Sequence, residues 1–427
     1  MLILLVYYGF LFLNYVNRND VAIECLASDQ EALIDFKNGL QYSHNRLSSW
    51  RNTNYCQWQG IRCDNVTGAV VAVDLHNPSH VEFWNISGEL RPSLMKLKSL
   101  SNLHLSFNTF SGIPIPKFLG SLMHLQYLNL SKAGFAGLIP PHLGNLSHLQ
   151  SLGLADYSLH VENLEWVAGL VSLKHFRMDG VDLSSVATTD WVSALNQLPS
   201  LMKLHLSSCQ LFRQIPSPPS LNLTSLSVID LRNNENLKAS CSQLLMKGWE
   251  RIQVLDLSIN KLHGRLPSSI GNLTYLTYLD LHDNAIEGGI PSSIGQLCNL
   301  NIIDLSRNKM TGTLPEFLLG IQNCPSRKPL PNLVYFIMSY NQLHGEIPDW
   351  LVQLESLAGI DLARNQLEGP IPFSLGSLQN LITLILERNQ LNGTLPKRLG
   401  QLSKLSCLDV SSNQLTGMVT EDHFSKL

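Results

Sequence analysis

The stretch Leu276–Asn299, "LTYLDLHDNAIEGGIPSSIGQLCN", decides the fold. Its 24 residues return along the chain with the same leucine spacing. Copies begin at Leu100, Leu125, Leu149, Leu173, Leu201, Leu226, Ile252, Leu276, Leu300, Leu333, Leu357, Leu381 and Leu405, and a degenerate first copy ("VVAVDLHN") begins at Val70. About fourteen units therefore share the template LxxLxLxxNxLxGxIPxxL. LxL alternation places two leucines on one face of a short strand, and a single unit cannot bury that face. Stacked units can, which predicts a curved solenoid with a parallel sheet along its concave side. The Asn after the strand can satisfy backbone groups of adjacent coils, as leucine could not. The Gly-x-Ile/Leu-Pro step (Gly288, Ile290, Pro291; Gly369, Ile371, Pro372) then bends the chain onto the convex side, where "PSSIGQL" supplies a short helical turn.

The Asn position is filled by Asn108, then by Ala133, Tyr157, Val181 and Cys209, and again by Asn from Asn234. The same stretch is irregularly spaced and carries Trp166 and Trp191, so residues 125–225 read as a locally distorted part of one array. Of the 427 residues, 44% are hydrophobic and 15% charged, with a net charge of −3 and no long basic run. A nucleic-acid surface that tracks phosphates is thereby excluded.

The leading run "MLILLVYYGFLFLNYV" has the length of a signal-peptide core and is broken by Asn14, Asn17, Arg18 and Asp20. Residues 1–24 read as a secretory signal, with an uncleaved anchor as the alternative. Sequons at Asn65, Asn85, Asn129, Asn145, Asn222, Asn272 and Asn392 agree with secretion and an oxidising compartment.

The 24-residue form with its GxIP step resembles the plant extracellular leucine-rich-repeat class over Cys25–Leu427. "CLASDQEALIDFKNGL", "RLSSW" and "CQWQGIRCDNVTGAVVAVDLHNP" are similar to that class's N-terminal cap. Their wording, with "LHVENLEWVAGL" and "NCPSRKPLPNL", is closest to receptor-like proteins similar to the ethylene-inducing xylanase receptors. The resemblance implies an α/β solenoid: a leucine-rich-repeat horseshoe with a parallel concave sheet. Residues 25–69 would form the cap and residues 70–427 the array, its last unit incomplete. It also implies a cell-surface immune receptor that lacks a kinase, binds a protein or peptide ligand, and signals through a membrane kinase co-receptor. Leu405, Leu408 and Val410 end in an uncovered coil, and "HFSKL" looks like the start of a further repeat. The expectation is a cut-short receptor; a secreted inhibitor of a pathogen cell-wall-degrading enzyme and a truncated, non-signalling product are the alternatives.

The family cap reads Cys-Cys-x-Trp-x-Gly, and Tyr55 stands here in place of the first cysteine. Cys56 and Cys63 can still close a loop around Trp58, whereas family pairing leaves Cys25 without its partner, free or bridged to another chain. A lost bridge removes about 2–4 kcal/mol, so a weakened cap is expected. Cys298 and Cys324 lie near in register on consecutive coils, and both a bridge and two free thiols stand open. Cys209 reads as a core residue, while Cys241 and Cys407 have no clear partner.

Asp230, Asp256, Asp280 and Asp304 share one strand position in successive units. Strands about 4.8 Å apart could bring two carboxylates to the roughly 5–5.5 Å of a retaining glycosidase. An open sheet offers no cleft to raise one pKa, so the expectation is a solvated consensus residue and no enzyme. The histidines, His124 and His148 included, show no metal spacing, and no cofactor is implied. Binding is better supported. Tyr278, Ile302, Tyr335, Ile337, Tyr340 and Ile385 fall on the concave face or its edge, and Arg307, Arg364 and Arg388 precede the Asn of their turns. Aromatics and Arg are the types enriched in interface hot spots. A glycan on Asn129 would obstruct the N-terminal end of that face, whereas glycans on Asn145 and Asn272 would shield the convex side. The basic excursion 321–333, with Arg327 and Lys328, reads as a solvated loop before a partner contact.

Overall fold

The conserved spacing of leucine and asparagine becomes a set of bonds between coils. In the computed structural model, which describes residues 26–424 apart from 44, 52, 79–83, 189–190, 215–223, 245–248, 250 and 316–323, the central residue of each concave strand but the first and last is buried. Its flanks alternate outward, as strand geometry requires. Fifteen such strands, from Ile61–Cys63 to Cys407–Asp409, form one sheet among the described residues. All neighbours are parallel except the first pair, Ile61–Cys63 against Val70–Asp74. The sheet runs without interruption through the irregular stretch, Tyr127 pairing with Ser151, Ser151 with His175, and His175 with Lys203.

The Asn side chains tie coil to coil. Asn308 donates through Nδ2 to the carbonyls of Leu281 (3.0 Å) in the preceding coil and Leu305 (3.1 Å) in its own. Its Oδ1 accepts from the Ile286 amide at 3.0 Å. Asn108, Asn234, Asn260, Asn284, Asn341, Asn365, Asn389 and Asn413 donate in the same way to their own and the preceding coil. In the gap, the Cys209 thiol donates to the Met178 carbonyl at 3.1 Å, the bond to the preceding coil that an Asn would make. Burial pushes that thiol far up, as it pushes Cys241 up to about 12.

A second parallel sheet follows the Asn turn, a layer the leucine pattern had shown only as a bend. Among the described residues its eight strands run from Phe212–Gln214 to Gln390–Asn392, with Ala285–Gly288 and Gln366–Pro370 among them. Gly288 and Gly369 leave it at φ of +77° and +76°, in the left-handed region that favours glycine. The convex side then carries 3-10 turns such as Ser292–Gln296 and Phe373–Ser377. Their packing is close: a Cβ on Gly376 would lie 2.6 Å from the Arg398 carbonyl of the next coil.

In the cap, helix Ala27–Gly39 buries Ala32, Leu33 and Phe36, and Trp50 stacks on Trp58 at 5.0 Å. Cys56 is bridged to Cys63 and Cys298 to Cys324. Cys25 and the leader lie outside the described residues, as does the Asn222 sequon. Tyr55, standing where the resembled cap has cysteine, is fully buried. Its hydroxyl accepts from the Leu26 amide (2.8 Å) and donates to the Gly68 carbonyl (2.9 Å). A hydrogen-bonded phenol thus holds the chain beside Cys25 to the cap, a compensation that the missing cysteine did not suggest.

Two substitutions test these ties. Asn308→Leu takes the side-chain acceptor from the Ile286 amide and one of two Asn donors from each of the Leu281 and Leu305 carbonyls, at roughly 1–3 kcal/mol for the stranded amide, so its melting midpoint should fall below that of the exposed control Asn301→Ala. Tyr55→Phe, which keeps the ring, should cost about 1–3 kcal/mol, read by calorimetry against the parent.

Candidate ligand-binding face

Register turns the flanking strand positions into two columns across the concave sheet. Val254, Tyr278, Ile302, Tyr335, Gly359 and Thr383 follow one another in the first. Asp230, Asp256, Asp280, Asp304, Ile337, Asp361 and Ile385 follow in the second. Tyr278, Ile302 and Tyr335 are therefore contiguous and half-buried, whereas Ile337 and Ile385 are separated by Asp361. Tyr335 leans into the space left by Gly359, where a Cβ would lie 2.6 Å from its Cδ1.

The other predicted residues stand on the rim. Arg307, Tyr340, Arg364 and Arg388 occupy one turn position, each with φ between +52° and +56°. Side chains other than Gly, Asn and Asp avoid this region. Here each amide is pinned by a bond to the next coil: Arg307 to Ser339, Tyr340 to Ala363, Arg364 to Glu387 and Arg388 to Ser411. The turn aligns Arg307, Tyr340 and Arg364 on consecutive coils. Their guanidinium carbons lie 4.4 Å and 4.7 Å from the Tyr340 ring centroid, one from each neighbouring coil. Arg364 Nε also donates to Glu387 at 3.2 Å. Cation–π contacts of this kind contribute about 0.5–1 kcal/mol each at exposed sites. They stiffen an aromatic and guanidinium rim.

The aspartate ladder is not solvated. Asp230, Asp256 and Asp280 are 7%, 5% and 7% exposed. Burial, with Asp280 and Asp230 on the flanking strands, pushes Asp256 up to about 7; burial and Asp280 also raise Asp304. The expectation that an open sheet could not raise a carboxylate pKa is thus corrected. The column itself supplies both the crowding and the like charge. Each carboxylate is nonetheless used locally, accepting the amide two residues on: Arg232, Ser258, His282 and Ser306 respectively. Those bonds set up the left-handed turn, and Tyr278 donates its hydroxyl to Asp280 at 3.0 Å.

Three groupings escaped the sequence because each is completed across coils: two join a pair two residues apart to a neighbouring coil, and the third draws one residue from each of three coils. Asp74, His76 and His104 bring their ligand-type atoms within 4.8 Å, as do Asp179, His205 and Asp230, and Asp280, His282 and Asp304. Their atoms already bond one another: His282 Nδ1 lies 2.7 Å from Asp280, and the His76 and His104 rings stack at 4.3 Å beside Asp74. The sequons divide. Asn65, Asn145, Asn272 and Asn392 are exposed, Asn145 and Asn272 closing convex 3-10 turns. Asn85 and Asn129 are half-buried and bonded; Asn129 Nδ2 donates to the Tyr127 hydroxyl at 3.2 Å, and its Oδ1 accepts the Ser131 amide at 3.0 Å. In the basic excursion, Lys328 pairs with Glu355 of the next coil at 2.7 Å.

Residues 26–64 match the leucine rich repeat N-terminal domain, and 124–146, 251–273, 275–297, 299–321 and 332–354 match the leucine rich repeat. The chain is similar to two receptor-like proteins of Solanum lycopersicum. It is 35% identical to EIX1 over 268 residues and 36% identical to EIX2 over 263, in each case across 60% of this chain. The chain spans about a quarter of the length of these relatives, 26% of each. Among solved structures, it superposes on the ectodomain of the Arabidopsis receptor kinase HAESA, bound there to a peptide hormone ligand. The TM-score is 0.75 at 26% identity, covering 93% of this chain and 67% of that one. No helix of the described residues is long and apolar enough to cross a membrane.

Asp256 gives a prediction with a definite sign. Its carboxyl binds a proton more tightly folded than unfolded, so the stability it contributes is present below the ordinary carboxylate pKa and is lost as pH rises toward 7. Asp256→Asn, which keeps the acceptor for Ser258, should stabilise the protein little near about pH 4 and by on the order of a few kcal/mol near about pH 8. Thermal melts across that range check it; a gain independent of pH would refute it.

Proposed function

We propose that this leucine-rich-repeat chain, similar to receptor-like proteins, is an extracellular recognition unit that binds a protein or peptide ligand on its concave face, in plant immune perception. The observation that carries the reading is the joined surface of Tyr278, Ile302 and Tyr335 with the Arg307–Tyr340–Arg364 stack on the rim beside it. Apolar and aromatic residues at the centre, edged by guanidinium groups, match the make-up of energetically dominant interface patches. The peptide complex of the HAESA ectodomain supports a peptide or protein as the ligand class. The microbial origin of that ligand rests on the resemblance to the xylanase receptors. On this reading Ile337, Ile385 and Arg388 extend the patch along the C-terminal half, the protein acts at the cell surface, and a membrane kinase co-receptor carries the signal onward.

A fungal xylanase is the first probe. Replacing Tyr335, Ile337 and Tyr340 together by Ala should weaken its binding at least about tenfold in biolayer interferometry. Tyr275→Ala, exposed outside the patch, should leave it unchanged. Parental affinity in a folded triple variant would remove the assignment.

A further inference from the structure

The concave face also holds a cavity away from that patch, between the strands Tyr127–Asn129 and Val228–Asp230. Its volume is about 210 Å³. In the second column Gly153 stands between Asn129 and Arg177, and the Asn129 carboxamide leans over it. Leu152 and Phe176, both buried, lie beneath the cavity. Its walls are basic. Lys132, Arg177 and Lys203 line it together with His175 and His205.

Two carboxylates, Asp179 and Asp230, stand beside these five groups, and each is already engaged. Asp179 accepts from Arg177 Nε at 2.6 Å and from the Ser207 amide at 3.0 Å, so it engages one edge of the guanidinium. Asp230 lies 3.6 Å from His205, with Arg232 also beside it. The Lys132 ammonium sits 5.7 Å over the Phe107 ring, and Lys174 donates to Gln150 outside the cavity. Burial first, then Lys203 and Lys174, hold the His175 imidazole below its ordinary value.

We infer that this cavity is an anion-binding subsite that receives an acidic side chain of the protein ligand, its aliphatic stem over Leu152 and Phe176 and its carboxylate among Lys132, Arg177 and Lys203. The inference rests on the concave face being the ligand face, and it adds a second anchor about five coils from the aromatic patch. A carboxylate suits the place because Arg and Lys pair with it through charge-assisted bonds, strengthened where the floor excludes water. Asn129 forms one wall. With its carboxamide bonded to Tyr127 and Ser131 and leaning over Gly153, it has to stay free of glycan for the subsite to be open.

The test uses the whole secreted chain and two fluorescein-labelled peptides, N-acetyl hexaglutamate and N-acetyl hexaglutamine, followed by anisotropy at low salt. Hexaglutamate should bind and hexaglutamine should not. Arg177→Glu with Lys203→Glu should weaken hexaglutamate at least tenfold, and Lys203→Gln, the milder change, should weaken it less. The Tyr335→Ala, Ile337→Ala, Tyr340→Ala variant should bind hexaglutamate as the parent does, so loss of xylanase binding and loss of acidic-peptide binding report on different sites. Inorganic sulfate at matched ionic strength should compete only weakly, since it lacks the stem. The inference is overturned by equal hexaglutamate binding in the folded charge-reversed variant, by competition from sulfate as strong as from the unlabelled peptide, or by a glycan found at Asn129 in intact glycopeptides.

Discussion

The regular part of this molecule hangs on one carboxamide per coil. A leucine solenoid buries its apolar face by stacking, but at each turn it also buries backbone amides and carbonyls that no regular ladder can reach. Asn meets that demand because its side chain carries both donors and an acceptor, and the turn places it between two coils. At Asn308 a single side chain serves Leu281, Leu305 and Ile286. Because the same bonds recur from Asn234 to Asn413, the C-terminal half is regular, with two parallel sheets and a straight rim.

Where the ladder lapses, the molecule changes character. Ala133, Tyr157, Val181 and Cys209 cannot make the full set of bonds, and the long second sheet begins only after them, at Phe212. The concave sheet persists, since its own hydrogen bonds do not need the Asn. Freed from the repeat consensus, the strand flanks there carry Ser151, His175 and Lys203 in the first column and Gly153, Arg177 and His205 in place of the Asp column. Regularity thus favours a continuous rim and a repeated patch, and its interruption leaves room for a basic cavity. The two proposed ligand contacts sit on one sheet for that reason.

Much of this was legible in the residues alone. The period located the strands, the burial of their leucines and the turn position of Arg307, Arg364 and Arg388, since each follows from local spacing. Tyr340 was placed with the concave positions or their edge, and register resolves it onto the rim. The aspartates were misjudged. Repetition looked like consensus on a wet surface, but the flanking columns crowd them until Asp256 stays protonated well above the ordinary carboxylate range. Tyr55 was seen as a missing cysteine and not as a buried phenol joining Leu26 to Gly68.

The sequence by itself determined the solenoid, its parallel concave sheet and the columns into which each side chain falls. Those follow from backbone geometry repeated every 24 residues, and one unit already contains the rule. Only the tertiary structure decided which side chains meet across coils: Tyr340 between two guanidinium groups, Asp256 between two carboxylates, and Lys132, Arg177 and Lys203 around one cavity. Such meetings depend on the bulk, charge and direction of neighbours some two dozen residues apart, and a repeat template is silent on what fills its variable positions.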